Sequence, residues 1–394
     1  MIYLDNAATT YPKPDVVYDT VDRYNRTKAV NPGRGAYAAA REATDMVRNV
    51  KKKLISLIDA RGQAEVVLTP SVTIALNQIL LGFPWEAGMT AYITPYEHNA
   101  VIRPLALLEK RRQIRIRTLP LNETGAIDLP KMEEMFRSEP PALVCVTAVS
   151  NVTGYVLPAA EIFRIARRFG AFTVLDAAQA LGLVKMRFAA LGADVVTFAG
   201  HKTLYATFGI AGFYIRNGAD LNEVLTGGNG IKSEDPFMPR YMPEKMETGS
   251  MNSPAIAGLE AALGWLTTVD PWKVEAELTE YLLARLPEVK GIRIYKAPEG
   301  APQAGVVSFN IEGFRANEVA AILDKTADIA VRAGHHCAGL IHPYLDDRVY
   351  DGTVRVSVGV FNTKEDIDRL IDALHTIDPE VLKSIDKQIL RGNC

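Results

Sequence analysis

Short apolar runs recur along the chain: TAYITP, ALVCVTAV, AFTVLDAA, DVVTFAG and IAGFYI. Each is apolar throughout rather than alternating, which is the pattern of a strand buried on both faces. Longer stretches of helical periodicity separate them, so a mostly parallel sheet with covering helices is expected. Ahead of them, residues 40–60 read as an amphipathic helix and EVVLTP, 65–70, as a strand running into a turn. A helix around 254–269 and another over 272–286 lead into a second series. That series reads GIRIYK, AGVVSFNI, a helix over 316–325, IAVRAG, TVRVSVG and a last helix from Lys364. The pattern predicts a large α/β domain over 15–262 and a smaller α+β domain made of 1–14 and 263–394.

A length of 394 residues agrees with that division, since single cores seldom grow so large. A net charge of −2 with 23% charged residues offers no basic surface for nucleic acid or an anionic membrane. No apolar run approaches the roughly 20 residues that span a bilayer. The opening MIYLDNAATTYPKP lacks the basic and apolar regions of a signal peptide. Three scattered cysteines, Cys145, Cys337 and Cys394, give no disulfide framework, and no CxxC or HxxxH spacing points to structural zinc. A cytoplasmic protein without a structural metal is expected.

Candidate chemistry gathers where the apolar runs end. Asp176 closes FTVLD, with Gln179 shortly after it; His201 and Lys202 follow DVVTFAG. In a parallel sheet such positions meet at the carboxyl edge, where ligands bind. A lysine and a carboxylate there suit pyridoxal 5′-phosphate: the amine condenses with the aldehyde, and the carboxylate keeps the ring nitrogen protonated. Spacing alone favours a plainer reading, with Asp176 as a helix cap and Lys202 on the surface. Other strings add weight. In LTPSVTIALNQIL a strand passes through Ser71, Val72 and Thr73 into a helix whose first amides would hold a phosphate. TPYEHNAVIRP puts His98 at the same edge, positioned to lie on a cofactor ring, and VSNVTG puts Asn151 there. An ordinary N-cap, a structural histidine and a turn asparagine are the plain alternatives for these.

Taken together, YLDNAATT, NPGRG, EHNAVIRP, SNVTG, DAAQALG, GHK, ETGSMNSPAIAGLEAAL, VRAGHHCAG and TVRVSVGVFNT resemble one family in order and over nearly the whole chain. It is the cysteine desulfurase family, in the class V aminotransferase group of fold-type I pyridoxal-phosphate enzymes. The resemblance implies that Lys202 carries the cofactor, Asp176 meets its pyridine nitrogen, Gln179 its phenolic oxygen, and His98 its ring. It implies phosphate contacts from Thr73, His201 and, across a homodimer, Ser250. It assigns Asn151 and Arg355 to the substrate carboxylate, with Arg332 beside them.

By itself VRAGHHCAG, 331–339, admits a reactive thiol, a metal site or a polar turn. The resemblance makes Cys337 a persulfide carrier that takes sulfur from L-cysteine, releases alanine, and passes the sulfur to an acceptor protein, as in iron–sulfur cluster assembly; L-selenocysteine is the alternative substrate. Arg332, His335 and His336 would lower the thiol's pKa if they face it. The connection AGLIHPYLDDRVYDGTV to Arg355 resembles that of desulfurases with a fixed cysteine and a dedicated acceptor. Cys145 reads as a core thiol and Cys394 as a chain end. Ala199 stands where relatives carry Ser or Thr, which removes a hydrogen bond worth about 1 kcal/mol. Ile74, Tyr37 and TLYATFGIAG also depart from the family pattern. Selenocysteine lyase, a C–S lyase without persulfide, another class V aminotransferase and a non-catalytic scaffold remain alternatives; the presence of Cys337 beside Arg355 favours the desulfurase and the selenocysteine lyase over the rest.

Overall fold

The apolar runs become strands because their alternate residues feed two different cores. The computed structural model describes residues 1–33, 35–231 and 234–385. The chain begins with β1 (Ile2–Tyr3), α1 (Asp15–Thr27) and α2 (Ala38–Leu57). The large sheet follows as β2 (Ala64–Thr69), β3 (Thr90–Ile93), β4 (Arg115–Thr118), β5 (Leu143–Thr147), β6 (Phe172–Asp176), β7 (Val195–Ala199) and β8 (Ala211–Arg216). Its seven strands lie in the order β2-β8-β7-β6-β5-β3-β4. All neighbours are parallel from β7 to β4, while β8 is antiparallel to both β7 and β2.

Val144, Val146, Leu175 and Val196 face one core cluster, and Leu143, Cys145, Val174 and Val195 face the other. That two-residue period with apolar side chains on both faces requires helices on both sides. α3 (Val72–Gly82) and α4 (Asn99–Arg112) cover one face. α2, α5 (Leu129–Ser138), α6 (Ala159–Arg168) and, after the one-turn α7 (Phe188–Leu191), α8 (Ser253–Trp265) cover the other. β4 has no apolar run to announce it. It is an edge strand whose Arg115 and Arg117 both pair with Glu139, and such outward charges protect an open edge from unwanted pairing.

A second core forms after α9 (Pro271–Arg285). Here β9 (Ile292–Tyr295), β10 (Val306–Ile311), β12 (Arg332–Gly334) and β13 (Thr353–Ser357) make an antiparallel sheet in the order β12-β13-β10-β9. α10 (Ala316–Ala327) and α12 (Lys364–His375) bury their apolar faces in its cluster. The run IAVRAG is not one strand. Its first half, β11 (Ile329–Ala330), pairs with β1 in parallel, and the chain then redirects as β12 onto β13. The N-terminal segment therefore decides the split, through Ile2 and Leu4 amides donated to the carbonyls of Asp328 and Ala330. The one-turn α11 (His342–Leu345) lies between β12 and β13. Among the described residues no helix is long and apolar enough to cross a membrane.

Candidate active site

Four neighbouring parallel strands end at one edge, and each delivers a polar group there. β6 ends in Asp176; β7 is followed by His201 and Lys202; β3 by His98, which caps α4; β5 by Asn151. β2 runs in the same direction as β7, because both are antiparallel to β8. It brings the first turn of α3 to that edge, with Ser71 as N-cap accepting from the Ile74 amide at 3.3 Å. The amides of Val72 and Thr73 have no intrahelical acceptor, so they are open to an anion.

Asp176 accepts from the Ala178 amide at 3.0 Å and the Thr197 hydroxyl at 3.1 Å, both at Oδ1. Oδ2 has no hydrogen bond among the described residues. Lys202 is half-buried, and its ammonium lies deep enough that burial is the main cause lowering its pKa to about 8. Asp176 opposes that shift, Arg355 and Arg332 add to it, and Cys337 opposes it. All four groups therefore act on the same amine. His98 is pushed down to about 4, chiefly by burial and then by Lys202. Its Nδ1 accepts from the Ala100 amide at 3.0 Å, so the neutral ring carries its hydrogen on Nε2. His201 is pushed down to about 3 by burial, Lys202 and Lys13, and stacks on Phe208 at 4.4 Å; its buried Nδ1 has no partner among the described residues.

The opposite wall comes from β12 and β13. Arg332 and Arg355 stand directly across from each other and share one sheet face. Arg355 is 2% exposed. It donates from Nη2 to Asp5 at 2.5 Å and from Nη1 to the Asn151 carbonyl at 3.1 Å, while its buried Nε has no acceptor among the described residues. Burial draws its pKa below the usual value, and Asp5 resists. Arg332 has no hydrogen-bond or ion-pair partner among the described residues. Of these two facing guanidiniums only Arg355 is paired with a carboxylate among the described residues, an arrangement one anion short.

Beside them, His336 and Cys337 both adopt left-handed backbone, with φ of +50° and +57°. The Asn151 amide donates to the His336 carbonyl at 2.7 Å, and the Asn99 amide to the Cys337 carbonyl at 2.6 Å. Cys337 is half-exposed. The expectation that His336 assists its ionisation needs correction. The His336 ring is buried against Thr353, with Nε2 at 3.0 Å from the carbonyl and 2.9 Å from the hydroxyl. Burial, helped by Arg355, holds its pKa well below the ordinary value, so it carries no charge to offer a thiolate.

The other expected residues fall into place unevenly. Gln179 lies in the same region, but its amide donates to the Ala7 carbonyl at 2.7 Å. Ser250 is exposed just before α8 and makes no hydrogen bond to these groups among the described residues. Cys145 is buried within β5, and burial pushes its thiol pKa up. Cys394 lies outside the described residues.

Sequence reasoning passed over several groups. Lys13 is buried, with Nζ donating to the Thr10 hydroxyl and the His201 carbonyl, each at 2.6 Å, and burial lowers it to about 7. It ties the N-terminal segment to the Lys202 loop. Asp5 is likewise recruited from a distance, while His342 and Asp347 come from the connection that follows Cys337; only the strings DNAATTYPKP and LIHPYLDD mark where they are.

A model of the aminotransferase class-V family matches residues 2–370. A probable cysteine desulfurase of Methanothermobacter thermautotrophicus is 32% identical, over 95% of this chain and 94% of that protein. One from Halalkalibacterium halodurans is 34% identical, over 95% and 92%. Among solved structures, the apo cysteine desulfurase of Thermococcus onnurineus superposes with a TM-score of 0.86 at 29% identity, covering 98% of this chain and 95% of that one.

Proposed function

The chain belongs to the cysteine desulfurase family of class-V aminotransferases and is an enzyme of that class, and on that premise we propose that it converts L-cysteine to L-alanine and leaves the sulfur as a persulfide on Cys337 for an acceptor protein. One observation carries the reading: Asn151, on the sheet edge that also carries Asp176 and Lys202, accepts from Arg355 and donates to the His336 carbonyl beside Cys337. Transamination alone has no use for that thiol, and a scaffold has no use for that lysine.

Pyridoxal 5′-phosphate fits the groups assembled here. Asp176 keeps a free carboxylate oxygen for the ring nitrogen, and Lys202 keeps an amine that loses its proton near neutrality. The open amides of Val72 and Thr73, with the unpartnered Nδ1 of His201, suit the phosphate. The neutral His98 ring suits stacking; Gln179 would give up Ala7 to reach the phenolic oxygen, and the exposed Ser250 would serve a second copy in a homodimer. When bound, the cofactor supplies an electron sink for the substrate α-carbon.

The chain's own groups then divide the work. Arg355 offers its free Nε, with Arg332 and Asn151 beside it, to the substrate carboxylate. Lys202 Nζ removes the α-proton and returns a proton to the carbon skeleton. Cys337 Sγ attacks the substrate sulfur: the S–S bond forms as the Cβ–S bond breaks, and the electron pair goes to the carbon side, which is protonated and leaves as L-alanine. One thiol and one L-cysteine give one persulfide and one L-alanine, so both sulfurs are oxidised as the β-carbon is reduced and no external oxidant enters. α11 and the turn Arg348–Tyr350 fill the connection from Cys337 to Arg355, which supports a fixed cysteine that relies on its acceptor for speed. Free thiols suit a reducing compartment such as the cytoplasm.

The test is to incubate the cofactor-loaded enzyme with L-cysteine and follow alanine, sulfide and protein-bound persulfide. Alanine should appear with a persulfide that vanishes in Cys337→Ser. Pyruvate and ammonia, with Cys337→Ser unaffected, would sink the proposal.

A further inference from the structure

Behind the Cys337 turn lies a buried polar pair that the chemistry above does not use. His342 is 4% exposed and Asp347 is 2% exposed. His342 Nδ1 is hydrogen-bonded to the Asp347 carboxylate, and Nε2 lies 3.1 Å from the His335 carbonyl oxygen. Both ring nitrogens face acceptors. With its hydrogen on Nε2 the ring donates to the His335 carbonyl, and Nδ1 is anchored at Asp347. Asp347 thereby fixes the ring's tautomer and orientation. The His342 ring also packs edge-on against the His335 ring, with centroids 4.6 Å apart.

His335 is the last residue before the two left-handed ones. Consecutive non-glycine residues in that region are disfavoured, and they persist only where their surroundings over-determine them. All three carbonyls of the turn are captured. His336 and Cys337 are held by Asn151 and by the Asn99 amide, both reaching across from the large sheet's edge. The His335 carbonyl is held from its own side, by the Ala338 amide at 2.9 Å and by His342. Removing the His342 hydrogen bond would leave the turn anchored by the opposite wall but loose at its root.

We infer that the His342–Asp347 pair positions Cys337 for sulfur transfer by holding the His335 carbonyl. The inference rests on Cys337 being the sulfur acceptor. His342 is a positioning residue: both its nitrogens are occupied and it does not reach the reacting atoms. A purely structural role would lower thermal stability and impair every step together. A positioning role lowers sulfur transfer while leaving binding of an amino acid at the cofactor intact.

The experiment uses the full-length, cofactor-loaded enzyme with three variants. His342→Gln keeps an N–H donor, His342→Phe keeps a ring without one, and Asp347→Asn removes the carboxylate. Four readouts are taken: kcat and KM for L-cysteine; persulfide on Cys337; the absorbance change on binding L-alanine, which has no sulfur to give; and the iodoacetamide alkylation rate of Cys337. His342→Phe should lose about 30- to 100-fold in kcat with KM changed less than about twofold, the scale of a small displacement of a reacting group. His342→Gln should recover to within about fivefold of wild type and Asp347→Asn should lie between. Cys337 alkylation should shift in the same order, with the L-alanine response unchanged. Wild-type kcat in His342→Phe, equal impairment in His342→Gln and His342→Phe, or loss of the L-alanine response would each overturn the inference. If His342→Phe does not fold, wild-type kcat and alkylation in Asp347→Asn overturn it. A wild-type enzyme that forms no persulfide would instead overturn the sulfur-carrier reading, and the alkylation series would still report on the turn.

Discussion

Asp176, Lys202 and His98 stand at the ends of regular strands and at a helix cap, whereas Cys337 sits on a pair of left-handed residues that belong to no strand or helix. The first group forms a floor whose geometry follows from the sheet. Once the two apolar faces of β3, β5, β6 and β7 are buried, their ends have one place to go. The second group forms a wall. Its position depends on hydrogen bonds from Asn99, Asn151 and His342, on one from His336 to Thr353, and on an ion pair to Asp5. On the proposed reading the floor would hold the cofactor, and the wall would present substrate and thiol to it. Damage to the floor should remove the reaction; damage to the wall should change how substrate or sulfur is handled.

The largest effect expected is from Lys202→Ala. Losing both the covalent anchor and the proton-moving amine should cut alanine formation by about 10⁴-fold or more. The lysine-bound absorbance of the cofactor should disappear with it, while the variant keeps the thermal stability of a folded chain. Substantial alanine formation by Lys202→Ala would break the division, because the floor would then not own the chemistry.

Arg355→Lys probes the wall. A single ammonium cannot meet Asp5, the Asn151 carbonyl and a substrate carboxylate at once, as the guanidinium fork can. A loss of about 100-fold in kcat/KM is expected, carried mainly by KM, with the cofactor's absorbance unchanged. Steady-state rates over a range of L-cysteine concentrations separate the two parameters. A fall confined to kcat would place Arg355 with the floor.

The same contrast explains what could be read from the chain. Asp176, Lys202, His98 and Asn151 were legible because each follows an apolar run, and a parallel sheet converts that position into a shared edge. β4 was hidden because this edge strand alternates exposed arginines with the half-buried Ile116 and Thr118, leaving no apolar run. IAVRAG looked like one strand because its division depends on β1, at the far end of the chain. Asp5 reaches Arg355 across 350 residues and Lys13 reaches the His201 carbonyl across 188, so spacing carries no trace of either. The role first given to His336 failed for a related reason: the charge of a histidine depends on its burial, and neighbouring letters do not report burial. Residue identity marks Cys337, but only the folded turn shows how it is held.

Floor and wall meet at Tyr205 and Glu275, and this joint should affect stability more than chemistry. Tyr205 follows shortly after Lys202, and its hydroxyl lies 3.5 Å from Glu275 Oε1 on α9. The other carboxyl oxygen packs so closely on Gly305 that a Cβ there would meet it at 2.6 Å. Burial raises Glu275 to about 8, against an ordinary 4.5. Between those values the folded chain holds a proton that the unfolded chain has released. Stability should therefore fall as pH rises through this window, by no more than about 1.4 kcal/mol per pH unit for one proton. Glu275→Gln keeps the shape and removes the titration. Melting temperatures of both proteins measured from pH 5 to pH 8, in roughly unit steps, should show the wild type losing ground to the variant as pH rises. The buried Glu97 carboxyl, also raised to about 8, is common to both proteins and cancels. With a shift in stability but no shift in the KM for L-cysteine at a fixed pH, the joint would be a structural seam between two functional surfaces. Parallel melting curves would mean that the Glu275 carboxyl is not held neutral, and that floor and wall are joined by other contacts.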